Sequence, residues 1–170
     1  MIALALLSAG CGEIDGSKPF AGVAEFEPSD RAYHMRFLSP PWLLIKSSGE
    51  VADLAVAPSE LSADIAHATV TLHVAPVGKT AQAAAEAALA AWSAAHAHAQ
   101  ITMQVTPIAN SAGQMGVEFA GFDPDSARYH REAFFDAASG AFALSFDGSV
   151  RLDVADVTDV VAGFVPKGKP

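Results

Sequence analysis

The sequence predicts one α+β domain: a central antiparallel sheet of about six or seven strands flanked by two main helices, an α/β/α sandwich. Three observations predict it. Several segments alternate apolar and polar residues at period two, and four of them follow one another from Ile101 to Gly148. The connections within that run are too short for crossover helices, so neighbouring strands pair antiparallel. Two other segments repeat at helical spacing, one before the run and one after it, and each needs a sheet face on which to bury its apolar side.

Tyr33–Leu38 reads as the first strand. Trp42–Ile45 reads as its continuation or a turn, because Pro40 and Pro41 cannot donate to a ladder and leave the strand kinked or at an edge. A short strand follows around Leu54, and Glu60–Asp64 reads as a loop or one helical turn. In ATVTLHVAP, Val70, Leu72 and Val74 alternate with Thr69, Thr71 and His73. Thr80 then caps a helix over AQAAAEAALAAWSAAHAHA, since alanine costs least in a helix. Ala88, Trp92 and Ala95 share one face of it, with Leu89 beside them.

The next strand alternates through Ile101, Met103 and Val105, and the one after sets Val117, Phe119 and Gly121 opposite Glu118 and Ala120. RYHREAFFD and GAFALSFDG are two strands joined by the hairpin signal AASG. The first places Tyr129, Arg131 and Ala133 on one face and His130, Glu132 and Phe134 on the other. Val154, Val157, Val161 and Phe164 return to helical spacing, and Pro166 stops that helix. The expected order is β-β-β-α-β-β-β-β-α.

The 170 residues suit one domain, and 51% hydrophobic with 17% charged residues is a globular composition. Nineteen acidic against ten basic residues give a net charge of −9. That charge, with no Lys/Arg cluster, argues against nucleic-acid binding and against adhesion to anionic lipid. The single cysteine cannot form an internal disulfide. No apolar run approaches the ~20 residues that span a bilayer.

The chain opens with the apolar residues Ile2–Leu7, then the small residues Ser8, Ala9 and Gly10, then Cys11. LLSAGC resembles the lipobox of bacterial lipoproteins. The resemblance implies cleavage before Cys11, diacylglycerol on its thiol and an acylated new N-terminus. Gly12, in place of a retention aspartate, implies the outer membrane facing the periplasm. The other reading is a buried N-terminal strand with an ordinary core cysteine. GEIDGSKPFAG favours the first, being polar, glycine-containing and unsuited to continue a core element. The expected organisation is a signal peptide over 1–10, a flexible tether over 11–31, the domain over 32–166 and a tail over 167–170.

A second resemblance rests on the order of the elements and a few words: SPPW after the first strand, ATVTLHVAP, KTAQAAAEAALAAW, GVEFAGFD, YHREAFFDAASGAFALSF and a terminal GFVP. Over residues 33–166 the chain resembles the PsbP-like superfamily, which includes DcrB-type bacterial lipoproteins. The resemblance implies the same central antiparallel sheet flanked by helices. It also implies a binding or assembly role without a shared catalytic site, and it carries no functional residue across.

Four groups of residues bear on chemistry. APVGKT sits where a phosphate loop would, but His73 stands where a Walker A loop needs its first glycine, so Gly78 reads as a turn and Thr80 as a cap. No nucleotide and no cofactor are expected. His96 and His98 point apart on a helix. If the helix ends near Ala95 they could bind zinc with His67, His73 or His130. Their other reading is polar punctuation at a helix C-terminus.

FDPDSARYHRE gathers Asp123, Asp125, His130, Arg131 and Glu132, the densest polar group in the chain. Ser126-Ala127 replace the mid-loop glycine of a calcium site. The group reads as a solvated loop with an alternating strand, and Asp123, Asp125, His130 and Arg131 as the place for a partner contact. Trp42 and Trp92 read as core anchors.

The function expected from these observations is a non-enzymatic envelope lipoprotein. It would be held to membrane lipid by its N-terminal acyl anchor and would bind or help assemble a protein partner in the envelope. One alternative is a metal-binding protein or small metal-dependent enzyme using clustered histidines. The other is a cytoplasmic regulatory domain.

Overall fold

A computed structural model describes residues 22–39, 41–56 and 68–167. Ten strands and two helices appear among them, and the expected α+β class holds. The strands are β1 (Gly22–Phe26), β2 (Tyr33–Ser39), β3 (Trp42–Ser48), β4 (Val51–Val56) and β5 (Val70–Val77). After helix α1 (Ala81–Ala95) come β6 (Gln100–Ala109), β7 (Met115–Asp123), β8 (Arg128–Ala137) and β9 (Gly140–Gly148). Helix α2 (Ala155–Gly163) leads directly into β10 (Phe164–Pro166). Seven strands form one antiparallel sheet in the order β3-β4-β5-β9-β8-β7-β6, and β1-β2-β10 form a second, three-stranded sheet.

The alternation on β8 and β9 separates the two sides of the large sheet. Phe134, Ala141 and Ala143 face α1, whereas Phe135, Phe142, Leu144 and Phe146 face the other way. Thr80 Oγ1 accepts from Ala83 N at 3.4 Å and caps α1, and Asp136 Oδ1 takes the orphan Ala81 N–H at 2.7 Å. Ala81, Ala84 and Ala85 lie flat against Phe119 and Phe134, because methyl side chains let the helix approach closely. Past them only Ala88, Leu89 and Trp92 are half-buried, and Ala95 is exposed rather than on the packed face. The strip passes instead to His96, the C-cap, whose ring tilts against the indole of Trp92.

The opposite face holds the larger core. Tyr33, Met35, Phe37, Val157, Val160 and Phe164 cover Leu54, Leu72, Phe135, Phe142 and Phe146. Tyr33 is fully buried among Phe26, Phe142 and Phe164, and desolvation holds its hydroxyl well above its ordinary pKa. Buried in the same layer, Arg131 donates from Nε and Nη2 to Glu118 Oε2 at 2.8 and 2.6 Å. Its Nη1 donates to Leu152 O at 2.9 Å, tying the sheet to the segment that enters α2.

Four expectations are corrected here. The tether does not reach residue 31: Gly22–Phe26 is a strand, paired with β2 from Gly22↔Ser39 to Phe26↔Met35. Its short run and small Ala24 hide the alternation. Trp42 does not continue β2 but starts β3 in the other sheet, since two prolines in succession cannot carry one ladder through. Phe164 does not lie on α2. The helix ends at Gly163, where a Cβ would stand 2.3 Å from Arg36 O, and Phe164 then pairs with Met35 in β10. Lys167 is not part of a tail: its N–H donates to Ala32 O at 2.9 Å and its Nζ to Glu27. The expected signal peptide and Cys11 lie outside the described residues, and no described helix is long and apolar enough to cross a membrane.

Candidate functional site

Where the C-terminal end of α1 crosses β7 and β8, the packing opens. Trp92 lies over Gly121, where a Cβ would meet the indole ring at 2.3 Å, so glycine is what lets the indole settle on the sheet. The ring of His130 stacks on Trp92, centroids 5.5 Å apart and planes 11° from parallel. Asp147 stands directly across the hairpin from His130, with Oδ1 3.2 Å from Nδ1. Glu132 Oε2 lies 3.6 Å from Nε2, and Glu132 Oε1 also accepts from Ser145 Oγ at 2.5 Å. Burial works against a charge on His130, but the hydrogen bonds to Asp147 and Glu132 outweigh it and push its pKa up to about 9. At neutral pH it is therefore an imidazolium, facing an indole that favours a cation.

The β7–β8 turn forms the rim. Asp123 Oδ2 accepts from Ser126 Oγ at 2.5 Å and lies 3.2 Å from His96 Nδ1, while its Oδ1 accepts from Asp125 N at 3.1 Å. The hydrogen bond from Ser126 is the main cause holding the Asp123 carboxyl below its usual pKa, assisted by Asp125 N–H and His96. Ala127 adopts φ 53°, a left-handed conformation that closes the turn. One position further out, Asp125 Oδ2 meets His98 Nδ1 at 2.8 Å. Trp92, His96, Asp123, Ser126, Arg128, His130 and Asp147 line an open depression of about 260 Å³.

The structure thus brings Asp123 and His130 to one depression and adds His96 to them, while Asp125 sits on the outer rim paired with His98. Arg131 does not belong with them. It is 7% exposed on the opposite face, committed to Glu118, so it cannot serve the partner contact expected of it. Asp123, at 5% exposure, is no solvated loop residue either. Strand alternation had already separated Arg131 from His130, while chain proximity had grouped them.

His96 and His130 share the depression, but the described histidines form no metal-binding cluster. His96 and His98 each meet a separate aspartate, His73 Nδ1 lies 2.6 Å from Asp53 Oδ1, and His34 Nε2 lies 3.8 Å from Glu25 Oε2. Among the described residues no three His, Cys, Asp or Glu side chains could hold a metal, and His67 lies outside them. Gly78 and Thr80 serve as the turn and the helix cap read from the sequence. Trp42 is a core anchor, its Nε1 donating to Asp156 O at 3.3 Å. Trp92 is not one: it is half-buried and lines the depression.

The residues missed were Trp92, Ser126, Arg128 and Asp147. The hairpin carried a signal for Asp147, because pairing Ala137 with Gly140 fixes His130 opposite Asp147.

This fold and site define an α+β domain with an acid-rimmed open depression at one end of its long helix. No family model and no curated protein matches the chain. Among solved structures it is similar to a Bacteroides thetaiotaomicron VPI-5482 protein, with a TM-score of 0.45 and 9% identity. The match covers 85% of this chain and 48% of that one, so the chain spans about half the length of that protein.

Proposed function

We propose that the protein is a non-enzymatic envelope lipoprotein with a PsbP-like domain, tethered through Cys11, and that it binds another envelope component at the rim of the Trp92 depression. One observation supports this reading above the others. The β7–β8 turn is held in place by Ser126, His96 and His98 acting on two aspartates, beside a depression that stands open. A pre-set polar loop on a firm scaffold suits recognition, because little ordering entropy remains to be lost on contact. His130 suits it too. Its ring nitrogens are both held by carboxylates, so it is a fixed charge rather than a free base at neutral pH.

The test has two arms. Wild type is expected in the membrane fraction and Cys11→Ser in the soluble fraction. A photo-crosslinking residue at Asp125 is expected to give one discrete adduct in intact cells, and one at His73 none. Wild type that stays soluble and uncleaved overturns the anchor, and identical adduct patterns at positions 125 and 73 overturn the contact.

A further inference from the structure

A second surface lies on the far side of the molecule from Trp92, on the outer face of the three-stranded sheet. Along β1 and β2, Ala24, Phe26, Met35 and Phe37 point into the core, which leaves Val23, Glu25, Arg36 and Leu38 outside. Val23 and Leu38 are directly paired across the two strands and are 56% and 39% exposed. Cross-strand partners stand about 4.5–5.5 Å apart at Cβ, so the two side chains make one apolar spot. One pair further along, Arg36 Nε lies 3.6 Å from Glu25 Oε1, and Glu25 Oε2 faces His34. Glu25, the one carboxylate within β1 and β2, is therefore set against a cation.

The chain enters the described domain at Gly22, next to Val23. Gly22 lies eleven residue-to-residue steps from Cys11 (22 minus 11). At no more than about 3.6 Å each they reach about 40 Å at most, roughly the diameter of a domain of this size. If Cys11 carries acyl chains, the tether holds this corner within about 40 Å of the bilayer, with the exposed Val23 and Leu38 beside the point where the tether joins the domain.

The geometry points to the Val23–Leu38 corner as the surface that rests on the bilayer, with both side chains at the boundary between headgroups and acyl chains. This inference rests on the lipoprotein reading proposed above. A net charge of −9 selects a zwitterionic lipid surface over an anionic one. In this orientation the exposed Asp125 and Asp147, on the α1 side of the large sheet, face away from the lipid and toward a partner.

The test couples the Cys11 thiol of the full chain to a maleimide lipid in phosphatidylcholine vesicles, with plain or brominated acyl chains. Leu38→Trp and Asp125→Trp are compared, after subtraction of the wild-type signal from Trp42 and Trp92. Both positions are exposed, and matched urea midpoints establish that both variants fold. The fluorescence added at position 38 is expected to fall about twofold in brominated vesicles, as at a depth of about 5–10 Å, while that at position 125 stays unchanged. Equal quenching at the two positions, or none at 38, overturns the orientation. Because the tether is chemical, this result stands whatever happens to Cys11 in the cell. Intact mass of protein extracted from membranes tests the lipoprotein reading separately, and a retained leader without an acyl adduct overturns it.

Discussion

Raising the pH through the His130 titration should loosen the protein in a defined window. In the folded chain Asp147 and Glu132 push this imidazole up to about 9, against an ordinary 6.5. A raised folded-state pKa gives stability that is fully present below about 6.5, where both states carry the proton. Between 6.5 and 9 the unfolded chain loses the proton and the folded chain keeps it, so stability falls as pH rises. Above 9 the contribution is gone. The gap of about 2.5 pH units corresponds to about 3 kcal/mol at 1.36 kcal/mol per unit. His130 is only 12% exposed, but Asp147 is 47% exposed and solvent screens that half of the interaction. About 2 kcal/mol is the reasonable expectation.

Urea unfolding at pH 6 and pH 9.5, for wild type and Asp147→Asn, isolates the effect from the other titrating groups. Wild type should lose about 2 kcal/mol between those pH values, and the variant, which keeps Glu132, about half of that. Histidine proton resonances give the His130 pKa itself, and Trp92 emission should rise as the stacked imidazolium loses its charge. A measured His130 pKa at or below 6.5, or the same pH slope in Asp147→Asn, would refute the ion-pair argument.

Two further predictions concern packing. Gly121→Ala puts a methyl group into the Trp92 ring and should cost about 1–3 kcal/mol while red-shifting Trp92 emission; an unchanged spectrum would show that the indole does not rest on Gly121. Glu118→Gln leaves the buried Arg131 guanidinium without its counter-charge and should cost about 3–5 kcal/mol by urea unfolding, whereas replacing both residues by apolar ones of similar volume should recover most of it.

The second half of the chain was the legible half. From Val70 to Gly148 strand alternation, the alanine helix and the hairpin signal all agreed, and local preference matched the final pairing. The first and last elements were hidden for a different reason. β1 and β10 are strands because β2 lies between them: β1 is too short to show its alternation, and β10 depends on a partner far away in the sequence. Phe164 illustrates the difficulty. It keeps helical spacing with Val157 and Val161, yet its backbone pairs with Met35, because Gly163 lets the helix end press against Arg36. For the site, sequence showed the dense polar stretch but not which members turn away. Arg131 and His130 are adjacent in the chain and lie on opposite faces of one strand.

That alternation also explains how one sheet can carry a charged site without weakening its core. Buried charge is tolerable only when it is paired, and the two faces meet this condition differently. On the covered face Arg131 is neutralised by one carboxylate oxygen of Glu118 that accepts two of its N–H groups, and is capped by Leu152 O, which fixes the approach of α2. On the open face His130 is shared between Asp147 and Glu132 and covered on one side by the indole, while Asp147 and, on the rim, Asp125 stay exposed to solvent. The first arrangement is a closed structural tie. The second keeps a fixed charge pattern at the surface, as a recognition site requires. Removing Trp92 should therefore disturb the rim more than the fold, since α1 is held to the sheet by Ala81, Ala84 and Ala85 nearer its other end.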